Sequence, residues 1–181
     1  MVRVFIACSL DGFIAGEDGD LSWLPDGPDV EDHGYTAFFA ETAAMLIGRG
    51  TYDTAAAFAE WPYGETPVFV ATSRPLDPAA PTVTAIAGAA PELLAAVRAR
   101  VAGPIYLDGG ALIRSFLDAG LVDELTVTVV PAILGRGIPL FAGVARRHEL
   151  RLVSATPYAS GLVQLRYATR ARGPRAFPSS E

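Results

Sequence analysis

The chain has 181 residues, enough for one domain that buries about two-thirds or more of its unfolded surface. A formal net charge of -6 at pH 7 is the wrong sign for a protein that grips nucleic acid through a broad basic face. The composition, 51% hydrophobic and 19% charged, is globular, and no apolar run approaches the ~20 residues needed to cross a bilayer.

In chain order, residues 2–8 (VRVFIAC) alternate as a first strand and lack the features of a secretory signal, so a cytoplasmic protein is expected. Residues 9–28, dense in Gly, Asp and Pro, read as one long loop of the kind that often forms a functional lid. A helix is expected from about Asp29 to Thr42, with Val30, Tyr35, Phe38 and Phe39 near one face. A buried strand, AMLIG at 44–48, and a second helix over residues 51–61 come next. Strands at 68–73 and 81–86 precede a helix at 91–101 with Pro91 at its start. PIYLDGG is then a strand ending in glycines, 111–120 a helix closed by Gly120, and 123–131 a long strand. Residues 148–170 form a hairpin turning near 159–161, and 171–181 a frayed tail. Residues 1–170 thus form a single α/β domain: a mostly parallel sheet, helices on both faces and an antiparallel C-terminal hairpin.

In such sheets ligands collect at the carboxyl ends of the strands. The candidate segments there are Ser9-Leu10-Asp11-Gly12, Gly48-Arg49-Gly50-Thr51, Thr72-Ser73-Arg74 and Asp108-Gly109-Gly110. Gly48 lets the backbone approach closely, Thr51 can cap the following helix, and the free N–H groups of that first turn attract an anion. Taken alone, the tetrapeptide is equally well a turn whose glycines relieve strain. Three such loops on successive strands point to a ligand with several phosphates, such as a dinucleotide, although no G-x-G-x-x-G is present. Every basic residue is an arginine. The lack of lysine excludes a Walker-type phosphate lysine, a pyridoxal Schiff base and a lysine nucleophile, and leaves anion recognition to guanidinium groups. One cysteine and two histidines offer no metal-ligand cluster. Cys8 reads as a small buried side chain, and His33 and His148 as surface residues.

FIACSLDGFIAG, LSW, MLIGRGTYD, VFVATSR, YLDGGALIRSFL and LVDELTVTVVPAILGRGIPLF, in this order and spacing, resemble the dihydrofolate reductase-like superfamily over residues 2–168. The nearest resemblance is to stand-alone relatives of the reductase domain of bifunctional riboflavin-biosynthesis deaminase-reductases. It implies NADPH as cofactor and hydride transfer to a C=N or C=O bond of a pteridine or ribosylaminopyrimidine. It also implies that Ala7 and Ile14 border the nicotinamide and that Gly48, Arg49, Gly50 and Thr51 hold the pyrophosphate and its surroundings. Thr72, Ser73 and Arg74 would then approach the adenosine 2'-phosphate, with Asp108, Gly109, Gly110, Ala111 and Leu112 passing close to the cofactor. NADPH is expected over NADH because arginines, and no acidic residue, occupy the 2'-phosphate region.

On the substrate side, the resemblance implies that Asp32, sixteen residues before Gly48, holds an amino-pyrimidine edge and favours ring protonation, with Thr128 supplying its hydroxyl partner. Burial would raise the Asp32 pKa for that task. The alternative is that Asp32 serves a helix start, and Thr128 is a β-branched strand residue. Asp11, Trp23 and Arg136 are further substrate candidates; their alternatives are a turn, a loop anchor and a solvated arginine. WPYGETP lacks the arginine with which dihydrofolate reductases hold the folate tail, and TYDTAAAFAEWP lacks the Asp-Asp-Pro segment of the riboflavin-pathway reductases. The reading is a reductase acting on a small heterocycle, with a non-catalytic NADPH-binding or resistance protein as the alternative. The resemblance and the apolar final strands also allow a homodimer.

Overall fold

The computed structural model describes residues 1–25 and 31–169. In chain order the first strands are β1 (Val2–Ser9) and β2 (Phe13–Ala15), followed by α1 (Tyr35–Ala40), β3 (Ala44–Gly48) and α2 (Arg49–Ala56). Next come β4 (Val68–Ala71), β5 (Val83–Ile86), α3 (Ala90–Arg98), β6 (Ile105–Asp108), α4 (Gly110–Asp118) and β7 (Glu124–Val130). β8 (Ile138–Pro139), β9 (Leu150–Pro157) and β10 (Val163–Thr169) complete the order. An eight-stranded sheet runs β5-β4-β3-β6-β1-β7-β10-β9. Its pairings are parallel from β5 through to β7, and antiparallel where β10 meets β7 and β9. This is the mostly parallel sheet with an antiparallel end that the sequence leads one to expect.

Strand alternation divides the core between the two sheet faces. Val2, Val4, Leu46, Phe69, Ile105 and Leu107 point to one face, where α3 and α4 bury Leu93, Leu94, Val97, Ile113 and Phe116 against them. On the other face Met45, Ile47, Val68, Val70 and Tyr106 pack with Phe38 of α1 and Tyr52 of α2. Pro91 stands in the first turn of α3, and the Glu92 carboxylate accepts the Ala89 N–H at 2.8 Å, tying off one unpaired donor of the helix start.

Three local expectations change. The first helix begins at Tyr35, not near Asp29, because His33 and Gly34 both take positive φ (52° and 83°), which no α-helix accommodates; residues 29 and 30 lie outside the described segments. The second helix begins at Arg49, two residues early, with Gly48 extended at its N-cap (φ -73°, ψ 161°), so Thr51 sits inside the first turn and is not the cap. The loop after β1 contains β2, which pairs antiparallel with β8 in a separate two-stranded ribbon. Arg114 of α4 fastens that ribbon by donating to the Pro139 carbonyl at 2.5 Å and the Leu140 carbonyl at 3.3 Å. Residues 171–181 lie outside the described segments. Among the described residues no helix is long and apolar enough to cross a membrane.

Candidate active site

The carboxyl ends of β4, β3 and β6 lie side by side, which brings the three loops singled out in the sequence to one edge of the sheet. The Gly48 and Gly109 backbones are in contact: a Cβ on Gly109 would stand 3.0 Å from Thr51 Oγ1 and 3.2 Å from the Gly48 nitrogen. Gly109 also has φ +104°, so its glycine is required by its own backbone. Gly110 is crowded by the Pro139 carbonyl oxygen and by Ile14 of β2, which places Ile14 beside this turn.

Gly48 and Gly50 differ. Neither has positive φ, a Cβ on Gly50 would meet nothing within 4 Å, and one on Gly48 would touch backbone only at 4.0 Å. Neither glycine relieves turn strain, so that alternative is set aside. What they leave is an open approach to the N-terminus of α2, where unpaired N–H groups and the helix dipole favour an anion. The residues present therefore suit a phosphate-bearing cofactor.

Arg49 donates through Nε to Asp53 Oδ1 at 2.7 Å and through a terminal nitrogen to the Pro75 carbonyl at 3.0 Å. Arg74 stands 3.9 Å from the other Asp53 oxygen. The expectation that no acidic residue occupies this region is thus wrong: Asp53 lies between the two arginines. The i, i+4 spacing from Arg49 was the available signal. The Thr72 hydroxyl accepts the Arg74 N–H at 3.1 Å, shaping the turn that carries Arg74, while Ser73 is exposed. Ala111 is exposed, but the Leu112 side chain is buried in the core beneath α4, so only its backbone faces the turn.

A cavity of about 180 Å³ lies further along the sheet edge, bordered by Ala7, Leu24, Pro25, Asp32, His33 and Thr128. Asp32 and Thr128 both border it, but the hydroxyl that serves Asp32 is that of Thr36, not Thr128 as expected. The Asp32 carboxylate accepts the Gly34 N–H at 2.6 Å and the Thr36 N–H at 3.0 Å. Asp32 is exposed, and its pKa is held below the ordinary carboxylate value by the Thr36 hydroxyl first and then by those N–H donors, which outweigh the opposing effect of desolvation. The Thr128 hydroxyl receives the Gln164 amide at 3.2 Å, and the same amide donates to the His33 carbonyl at 2.9 Å. Gln164, on β10, carries no sequence motif that would have singled it out. His33 is not on the surface as expected: it borders the cavity, packs its ring edge-on to Tyr158 with centroids 4.4 Å apart, and has a buried Nε2 without a hydrogen-bond partner.

The remaining substrate candidates are engaged elsewhere. Asp11 accepts the Ser9 hydroxyl at 2.6 Å and the N–H groups of Leu134 and Gly135, which ties the loop after β7 to the end of β1 and lowers its pKa. The Trp23 indole donates to the Asp20 carbonyl at 3.2 Å, anchoring its own loop, while its neighbours Leu24 and Pro25 reach the cavity. Arg136 is 77% exposed, 3.8 Å from Glu17. Cys8 is buried, which pushes its thiol pKa up.

Asp108 ends β6 on the same sheet face as Tyr106, whose hydroxyl donates to the Phe5 carbonyl at 2.8 Å; Phe5 in turn borders the cavity. Tyr35 packs edge-on against both Phe5 and Tyr106. In these aromatic surroundings burial pushes the Asp108 carboxyl up to about 6, opposed only by the Gly109 N–H at 2.8 Å. Burial, and after it the Asp108 charge, push Tyr35 up to about 12 and raise Tyr63 and Tyr106 as well. Among the described residues, Asp108 is therefore the carboxyl that keeps its proton to the highest pH, up to about 6.

Residues 1–164 match the RibD C-terminal domain family. The chain is 34% identical over 166 residues to the uncharacterized protein YwjB of Bacillus subtilis (strain 168), covering 91% of this chain and 95% of that protein. A Shewanella sp. PV-4 structure, provisionally named a riboflavin biosynthesis protein, has a TM-score of 0.84 at 31% identity and covers 94% of this chain and 99% of its own. Dihydrofolate reductase from Enterococcus faecalis, complexed with NADP(H) and RAB-propyl, shares the fold, with a TM-score of 0.68 at 18% identity over 94% of this chain and 97% of that one. With its parallel sheet, glycine-lined strand ends and antiparallel C-terminal hairpin, the chain has the dihydrofolate reductase-like fold and belongs to the RibD C-terminal domain family.

Proposed function

We propose that the protein is an NADPH-dependent reductase of a nitrogen heterocycle of the pteridine or ribosylaminopyrimidine kind. The observation that carries this reading is the open approach at Gly48 and Gly50: two glycines that the protein's own packing does not require, at a helix start flanked by Arg49 and beside the Gly109 turn. Family membership and the NADP(H) in the similarly folded Enterococcus enzyme support it.

NADPH supplies the hydride when bound. The α2 N–H groups and Arg49 would hold its phosphates, and Ala7 and Ile14 would border its nicotinamide. Asp32, ionised and exposed to the cavity, accepts N–H groups of the substrate ring. Asp108, half-buried at the end of β6, would hold a proton up to about pH 6. The cavity bordered by Ala7, Asp32 and Thr128, about 180 Å³, has room for a heterocyclic ring. The test is NADPH oxidation followed against dihydrofolate, dihydrobiopterin and the ribosylaminopyrimidine intermediate. Turnover is expected with a heterocycle that lacks the glutamate tail of folate. NADPH binding with no oxidation across the panel would favour the non-catalytic reading, and no NADPH binding would end this one.

A further inference from the structure

Asp53 stands where two kinds of cofactor recognition meet. Its Oδ1 is 2.7 Å from Arg49 Nε and its Oδ2 is 3.9 Å from Arg74, so one carboxylate faces both guanidinium groups. Helix stability accounts for only part of this pairing. Arg49 is the first residue of α2, where a cation opposes the helix dipole, and basic-before-acidic is the weaker order for an i, i+4 pair. Arg49 is nonetheless held firmly, three-quarters buried and bonded to the Pro75 carbonyl, whereas Arg74 is 68% exposed and free to swing.

A carboxylate offers the guanidinium fork the same paired oxygens as a phosphate. At the adenosine ribose of a nicotinamide cofactor, arginine accommodates a 2'-phosphate, while an acidic side chain hydrogen-bonds a free 2'-hydroxyl and repels the phosphate. This chain has both at one place. We infer that Asp53 is a specificity-determining residue that narrows the chain's preference for NADPH over NADH. It occupies Arg49 and Arg74 until a 2'-phosphate displaces it, and it offers an acceptor to the 2'-hydroxyl of NADH. This rests on the cofactor reading above.

The test measures dissociation constants of NADPH and NADH for the full chain and for Asp53→Asn and Asp53→Glu, from nicotinamide fluorescence, with 2',5'-ADP and 5'-ADP as competitors. Asp53→Asn is expected to raise the NADH-to-NADPH ratio of dissociation constants about threefold or more, the scale of an exposed charge contact. Most of the change should lie in NADPH and 2',5'-ADP, with Asp53→Glu close to the parent ratio. An unchanged or lowered ratio in Asp53→Asn overturns the inference, as does a parallel shift of both cofactors, which a merely structural role would give. If the parent chain binds neither dinucleotide, the cofactor reading fails and this inference with it; if the parent binds NADPH and Asp53→Asn leaves the ratio alone, only the inference fails.

Discussion

Asp108 ends its strand beside Tyr106, with its carboxylate accepting the Gly109 N–H. Its folded pKa, about 6, stands above the ordinary 3.8, so the folded state binds the proton more tightly than the unfolded chain. Stability therefore falls as pH rises from about 4 to about 6 and stays reduced above that. Asp108→Asn is expected to remove this loss and to raise stability at pH 8 by roughly 2–3 kcal/mol, read from urea unfolding at pH 8 against pH 4, where the gain should shrink. If Asp108 also gives the proton, the rate of the parent enzyme declines above pH 6 and the variant loses that dependence. Asp32 has the opposite electrostatics for an equally local reason: the Thr36 hydroxyl and the Thr36 and Gly34 N–H groups are all aimed at it. That inversion was illegible in the sequence, because it depends on which carboxyl finds donors and which finds rings. Arg49 and Arg74, in contrast, were readable as a pair because each follows a strand.

At the scale of elements, α1 rests on the Asp32 carboxylate. Asp32→Ala is expected to lower the melting temperature by removing acceptors from the helix start, while Asp32→Asn keeps an acceptor oxygen and loses less. A fall in turnover in Asp32→Asn with NADPH affinity unchanged then reports substrate contact apart from the cap. The β2–β8 ribbon makes a sharper case. A Cβ on Gly137 would lie 2.2 Å from the Ala15 carbonyl oxygen, at φ +146°, and this ribbon carries Ile14 to the Gly110 turn. Gly137→Ala is expected to cost about 2–3 kcal/mol in denaturant unfolding and to weaken NADPH binding, since the ribbon must move off its partner. Strands of three and two residues leave no periodicity to read, which is why the ribbon was hidden inside an apparent loop. The long strands and α3 and α4 were legible because their buried positions recur at the period of the element.

Across the whole molecule, the arrangement that gathers the site also sets its sequence separations. β3, β4 and β6 bring residues near 48, 72 and 109 to one edge, and the cavity adds Asp32 and Thr128 from elements far apart in the chain. The fold class was readable from the alternation of strands and helices, whereas strand order was not, since parallel pairing leaves no mark on the strands themselves. β1 lies at the middle of that order, its Val2 and Val4 wholly buried, paired on one flank with β6 and on the other with β7. On the ribosome this strand emerges more than a hundred residues ahead of β7. At about 5–20 residues per second, it waits on the order of ten seconds for its last neighbour. The centre of the sheet is therefore the part of the nascent chain that stays unpaired longest, and the step that seats β7 beside β1 closes the protein's longest parallel pairing.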